Sequence, residues 1–285
     1  MWWKKKSVFA LVLSISIAVF VWTQMLMYAA HLLLGINLHM NIFKFCTSLF
    51  KENSILYTGV VVALNGLIIY TVLMTLFRLV QQYILTRKFG IRLQQLHIEE
   101  LTETITSRFG RKRGSLRVIS QEQPLAFTAG FRNPCIVLST GLLRMLDPCE
   151  LEAVIEHETF HQQNFDARKL FVLQLISQGL WFIPLTRWSY QNYQILSELL
   201  ADHYAIRRMG SELGLGSALL KLIKTRMPDS SAAGVVCFSG YSVNYRLQQL
   251  LNPEENIPVR LEIEAIVISI SMLLMFLTMT VLAVA

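Results

Sequence analysis

The sequence predicts a mainly α, integral-membrane protein in which three transmembrane helices carry a cytoplasmic α+β domain. Three observations predict it. The chain of 285 residues is 53% hydrophobic and only 16% charged, against about 25% charged in a soluble globular domain. Its apolar residues fall in uncharged blocks of about 20 or more, long enough to cross a bilayer. Its cations gather beside those blocks. The four cysteines, Cys46, Cys135, Cys149 and Cys237, are too sparse for a disulfide scaffold and match no metal-ligand spacing, so they read as small buried apolar side chains. The net charge of +7 marks a cytoplasmic side of the membrane and excludes nucleic acid as a partner.

The first block runs from Ser7 to Leu34 without a charge, behind Lys4, Lys5 and Lys6. It is longer than the apolar core of a signal peptide, so it is an anchor. Gln24 and His31 inside it are polar groups expected to hydrogen-bond a neighbouring helix. The second block, Ile55 to Leu76, is closed by Arg78, and Arg87, Lys88, Arg92, Arg108, Arg111, Lys112, Arg113 and Arg117 follow it. These cations and the amino-terminal lysines place both flanks in the cytoplasm and the intervening loop outside. Residues 92–109 have helical apolar spacing, whereas Ser115–Ser120 and Cys135–Ser139 read as strands. Asp147-Pro148 opens a helix that continues through Phe165. Leu170–Leu185 is apolar but short, carries Gln174, Ser177 and Gln178, and reads as a buried or membrane-skimming helix ending near Pro184. The last span is Ala265–Ala285, preceded by Arg260, Glu262 and Glu264, with no extracellular domain expected beyond it. The resulting division is 1–83 for two spans, 84–260 for the cytoplasmic domain and 261–285 for the third span.

The chemistry concentrates in His157-Glu158-Thr159-Phe160-His161. In H-E-x-x-H on a helix, two histidines four residues apart share one face and can reach one zinc ion. The glutamate between them is placed to take a proton from metal-activated water. A catalytic site needs a third ligand and an open position. Ser197–His203 supplies two candidates, Glu198 and His203, of which Glu198 shares a helical face with Asp202. Asp202 could then accept the other N–H of a ligand histidine. Because a zinc–ligand bond is only about 2 Å, Leu170–Leu185 cannot cross the membrane once between His161 and Glu198.

Here the chain resembles a known group. Glu150–His161 (ELEAVIEHETFH), with Asp166 beyond it, is similar to the active-site helix of integral-membrane zinc peptidases. Arg132–Leu143 (RNPCIVLSTGLL) is similar to the strand and turn before that helix. Trp181–Leu185 (WFIPL) and Glu198–Asp202 (ELLAD) look most like the M56 group, related to the protease part of the β-lactam sensor-transducers, and overlap with the M48 group. The resemblance, over roughly residues 110–252, implies a gluzincin with one Zn2+ per chain on His157, His161 and Glu198 and with Glu158 as general base. Asp166 and Asp202 would orient ligands. Arg246, Asn133 or one of Tyr190, Tyr193, Tyr204 and Tyr245 could hold the substrate or its oxyanion. Cys135–Ser139 could be an edge strand for an extended substrate, or an ordinary core strand. Ala201 departs from the cysteine that M56 members often carry, and direct β-lactam sensing is not expected.

These readings imply a multi-pass zinc endopeptidase of a plasma membrane, bacterial by the resemblance, acting on a protein or peptide at the cytoplasmic face. Alternatives are a transducer that cleaves a cytoplasmic repressor with a sensor or regulatory membrane partner, and a leader or pheromone maturation protease. Outside catalysis there remains a zinc-stabilised membrane scaffold, against which Glu158 argues, since a structural site needs no base.

Overall fold

The computed structural model describes residues 2–35, 41–50, 54–226, 240–251 and 263–282. In chain order the elements are α1 (Trp2–Leu34), α2 (Ile42–Ser48), α3 (Ile55–Gln95), α4 (Glu99–Arg108), β1 (Leu116–Ile119), β2 (Ala126–Ala129) and β3 (Cys135–Ser139), then α5 (Thr140–Met145), α6 (Pro148–Asn164), α7 (Asp166–Gly179), α8 (Pro184–Met209), α9 (Leu213–Arg226), α10 (Gly240–Leu251) and α11 (Ile263–Leu282). They form two compact units, each assembled from separated stretches. One holds residues 8–80, 172–192 and 259–285; the other holds 1–7, 81–171 and 193–258. The contiguous division expected from the sequence placed 172–192 with the cytoplasmic domain, whereas these residues pack with the apolar helices.

In the apolar unit, α1 and α3 are helices long and apolar enough to cross a membrane. At 1.5 Å per residue, the 41 residues of α3 extend about 60 Å, roughly twice a bilayer core. Arg78 therefore marks where apolarity stops, not where the helix stops, because Leu, Gln, Arg and Lys all sustain helix. The expected helix over 92–109 is accordingly two pieces. Residues 92–95 end α3, His97 pairs with Ile119 as an isolated bridge, and α4 starts afresh at Glu99. Ile17, Val21 and Met25 of α1 pack with Ile68 of α3 and with Ile176, Leu180 and Ile183. The apolar block after residue 170 is a helix that ends at Gly179 with Leu173 and Ile176 buried, and Pro184 opens the next helix instead of closing this one. A Cβ at Gly179 would come within 3.2 Å of Thr75 Oγ1. Gln24 bonds the start of α2, its Oε1 accepting from Ile42 N at 3.1 Å while its carbonyl accepts from Asn41 Nδ2 at 3.0 Å. Ser269 of α11, fully buried, accepts from Leu185 N at 2.9 Å and so caps the first turn of α8. Lys51, Glu52, Cys237, Arg260, Glu262 and the last three residues lie outside the described residues.

The second unit is built on a three-stranded sheet of order β1-β3-β2, with β1 parallel and β2 antiparallel to β3. Cys135–Ser139 is therefore the central strand, buried at every position, as its unbroken apolar run requires. It is not an edge. The edge beside α6 is β2, a strand absent from the sequence reading because QPLAFTAG has no apolar alternation. Leu116, Val118, Ile136 and Leu138 pack with Leu151, Val154 and Ile155 of α6 and with Leu222 of α9. Each such side chain contributes about 1.5–3 kcal/mol by burial, so the sheet and α6 are held as one block. Gly141 is required where α5 begins, since any Cβ there would strike the carbonyl of Glu122. Of the cysteines, Cys135 is buried as expected, but Cys46 is half-buried and Cys149 exposed.

Candidate metal centre

The first turn of α6 explains how its motif is aimed. Asp147 Oδ1 accepts from Glu150 N at 2.9 Å, Glu150 Oε2 accepts from Asp147 N at 2.9 Å, and Pro148 occupies the first turn. Ser217 and Lys221 of α9 also donate to the Glu150 carboxylate. Burial raises the pKa of Glu150, but the Lys221, Ser217 and backbone donors outweigh it and hold it below the usual carboxylate value. At its other end α6 stops at Phe165, which adopts the left-handed conformation (φ 54°, ψ 41°). That strained turn, of the kind that costs about 1–3 kcal/mol, folds the chain back so that Asp166 lies against His161.

His157, His161 and Glu198 converge from α6 and α8, with their ligand atoms all within 4.8 Å of one another. The two Nε2 atoms are 3.2 Å apart. Glu198 Oε2 is 3.6 Å from His157 Nε2, and Oε1 is 3.6 Å from His161 Nε2. Donors in a tetrahedral site with bonds of about 2.0–2.1 Å stand about 3.3 Å apart, so the set fits one zinc-sized ion. The ring orientations agree. His161 Nδ1 lies 2.8 Å from Asp166 Oδ2, and His157 Nδ1 lies 2.8 Å from Asp202 Oδ1. A carboxylate at each Nδ1 keeps the proton there and leaves both Nε2 lone pairs directed at the same point. Lone pairs that close repel unless a cation or a proton lies between them. His157, His161 and Glu198 together could hold one metal ion.

Charge compensation is dense. Burial and the Arg246 cation depress the pKa of His157, yet Asp202 and Glu198 more than reverse this and push it up to about 9. Burial likewise depresses His161, and Asp166 and Glu198 override it. Glu198 and Asp202, despite burial, are held below the usual carboxylate range by the histidines and Arg246. Tyr193 OH donates to Asp166 Oδ1 at 2.8 Å, and its burial and that neighbouring charge raise its pKa.

Glu158 lies beside the donors and is only 5% exposed. Thr128 Oγ1, on β2, is 2.9 Å from Glu158 Oε2 and 3.0 Å from the Glu158 carbonyl, so one hydroxyl proton is shared between two acceptors. His157, Glu158 and Arg246 face a narrow cleft whose apolar wall includes Val154, Leu215 and Leu219.

The structure thus gathers His157, Glu158, His161, Asp166, Glu198, Asp202 and Arg246. It does not gather Asn133, exposed in the bend before β3, or His203, exposed and edge-on to the Trp3 ring at 6.4 Å. Tyr204 packs on Phe160. Sequence reasoning missed Thr128, for which the featureless β2 segment held no signal, and missed that Tyr193 serves Asp166. A helix-borne histidine pair thus faces a carboxylate from a second helix in a group that could hold a metal ion, in a chain with two helices long and apolar enough to cross a membrane.

A family model described as BlaR1 peptidase M56 matches residues 8–250, and the chain belongs to that family. Among curated proteins it is similar to the "Protease HtpX homolog" of Archaeoglobus fulgidus, 26% identical over 173 residues that cover 59% of this chain and 48% of that protein. The protein of the same name from Pyrobaculum calidifontis is 27% identical over 126 residues, 43% of this chain and 36% of the relative. That from Streptococcus gordonii is 40% identical over 53 residues, 18% of each chain. The chain spans less than half the length of these relatives.

Proposed function

We propose that the protein is a zinc metalloendopeptidase that cleaves a protein or peptide at the cytoplasmic face of a plasma membrane, with α11 as its third span. The observation that carries this reading is the donor set itself, two histidines and Glu198 at tetrahedral separations with a buried glutamate alongside. Membership of a peptidase family and relatives named as proteases support it. His157, His161 and Glu198 would hold the zinc, which when bound supplies Lewis acidity to a scissile carbonyl and acidifies water. Glu158 takes the proton of the attacking water and delivers it to the leaving amine. Thr128 keeps the Glu158 carboxylate turned toward the donors. Asp166 and Asp202 fix the imidazole tautomers. The free side of β2, which carries Thr128, offers backbone groups to which an extended substrate can pair next to Glu158. The orientation follows from Lys4, Lys5, Lys6, Arg87, Lys88 and Arg92.

The test is zinc content and proteolysis, side by side, in detergent-purified wild type and Glu158→Gln. One zinc in both with cleavage only in the wild type is the expected result. Cleavage that survives in purified Glu158→Gln would sink the assignment.

A further inference from the structure

Arg246 was a candidate for contact with substrate, and its surroundings argue for a different task. Its side chain is 2% exposed. Nε donates to Asp202 Oδ2 at 2.7 Å, one terminal nitrogen (Nη2) donates to Asp202 Oδ1 at 2.6 Å, and the other (Nη1) donates to Glu198 Oε2 at 3.1 Å. Glu198 and Asp202 stand one turn apart on α8, so a single planar fork on α10 grips two carboxylates of one helix face. Only guanidinium has donors in that fixed geometry; an ammonium can satisfy one carboxylate at a time. The grip reaches both sides of the donor set. Asp202 Oδ1 is shared between Arg246 and His157 Nδ1, so the orientation of Asp202, and with it that of the imidazole, follows the guanidinium. Glu198 gives Oε2 to Arg246, which leaves Oε1, the oxygen nearer His161 Nε2, as its stronger electron donor.

We infer that Arg246 is a positioning residue that presets Glu198 and Asp202 for metal binding and limits Glu198 to one donating oxygen. The inference rests on the metallopeptidase reading for the identity of the ion. It also concerns binding, which is measured independently of cleavage. Without the fork, Glu198 and Asp202 repel each other and Glu198 is free to donate through both oxygens, closing the position that water needs.

The experiment uses the full chain in detergent, as wild type, Arg246→Lys and Asp202→Asn, each checked for a folded, monodisperse state. Zinc affinity is read by competition with a chromophoric chelator, and the visible absorption of the cobalt-substituted protein reads coordination number. Arg246→Lys is expected to bind zinc 10- to 100-fold more weakly, as loss of a ligand-orienting group does. Its cobalt bands should lose intensity, the signature of an added ligand. Asp202→Asn, which removes one arm of the grip at constant volume, should also weaken binding and keeps the test open if Arg246→Lys does not fold. For a peptide substrate kcat should fall while KM holds. Wild-type zinc affinity with an unchanged cobalt spectrum in folded Arg246→Lys, or in Asp202→Asn where Arg246→Lys does not fold, overturns the inference. So does a raised KM at constant kcat, which would return Arg246 to the substrate. A wild type that binds zinc with the expected variant losses, yet cleaves nothing, refutes the peptidase reading and leaves this one standing.

Discussion

Glu150 anchors the helix that carries the metal motif, and the consequence can be measured without any metal. Its carboxylate accepts from Asp147 N, Ser217 Oγ and Lys221 Nζ, while only 3% of the residue is exposed. Glu150→Gln can keep an amide oxygen toward Asp147 N, since glutamine also completes a capping box. The hydroxyl of Ser217 can reverse to accept from the new amide. What disappears is the charge. Hydrogen bonds to charged groups are worth about 1.5–3 kcal/mol, but Lys221 is 41% exposed along its side chain, which discounts its share. The net loss at pH 7 is about 1–2 kcal/mol, or roughly 2–8 °C in Tm for a protein of this size. The sign with pH follows from the depressed carboxyl pKa. A group whose folded pKa lies below its unfolded value stabilises fully above the unfolded value and loses that contribution as pH falls through the folded one. Glutamine does not titrate. Thermal melts of both proteins from pH 7 down to about pH 3.5 should therefore show the gap narrowing below about pH 4.5. A gap that stays constant, or widens in acid, would refute the reasoning.

Two further substitutions probe the site. Thr128→Val removes the hydroxyl bonded to Glu158 at constant shape; turnover should fall about 10-fold, on the scale of one lost charge-assisted hydrogen bond, with zinc content unchanged in metal analysis. Tyr193→Phe leaves Asp166 with one donor fewer, which should weaken zinc binding several-fold in chelator competition while the protein keeps its fold by circular dichroism.

The parts legible in the sequence are those set by local period. Apolar length predicted α1 and the first half of α3, and the four-residue spacings of His157/His161 and Glu198/Asp202 placed each pair on one helix face. Proline at the start of α6 and the apolar run of β3 were equally readable. What was illegible depends on contacts distant in the chain. The centrality of Cys135–Ser139 is decided by which strands flank it, and β2 shows no alternation because its residues Phe127, Thr128 and Ala129 are only partly buried. The length of α3 escaped because charge ends a membrane span but not a helix. Asp166 could be flagged by its closeness to His161, whereas its link to Tyr193, 27 residues away, exists only in the folded chain. Arg246 was visible as a residue, but its grip on two carboxylates 44 and 48 residues away is invisible to spacing.

The arrangement also explains how, among the described residues, three donors converge from just two helices. On α6 the histidine spacing directs both Nε2 atoms to one point; on α8 the same spacing directs Glu198 to that point and Asp202 past it, to His157 Nδ1. One turn beyond the motif, the left-handed Phe165 brings Asp166 to the other histidine. Each imidazole is thus held between a common centre and its own carboxylate, and each carboxylate is tied back by a buried donor, Tyr193 for Asp166 and Arg246 for Asp202. Such a chain of contacts fixes ring orientation before any ion arrives, which lowers the ordering cost of binding. It also concentrates four carboxylates, those of Glu158, Asp166 and Asp202 buried and that of Glu198 partly so, around two histidines, a cluster whose mutual repulsion is offset by Arg246 and by the positive charge the donors collect. Substitutions in the outer members should consequently loosen metal binding by graded amounts, whereas loss of His157, His161 or Glu198 removes a donor outright.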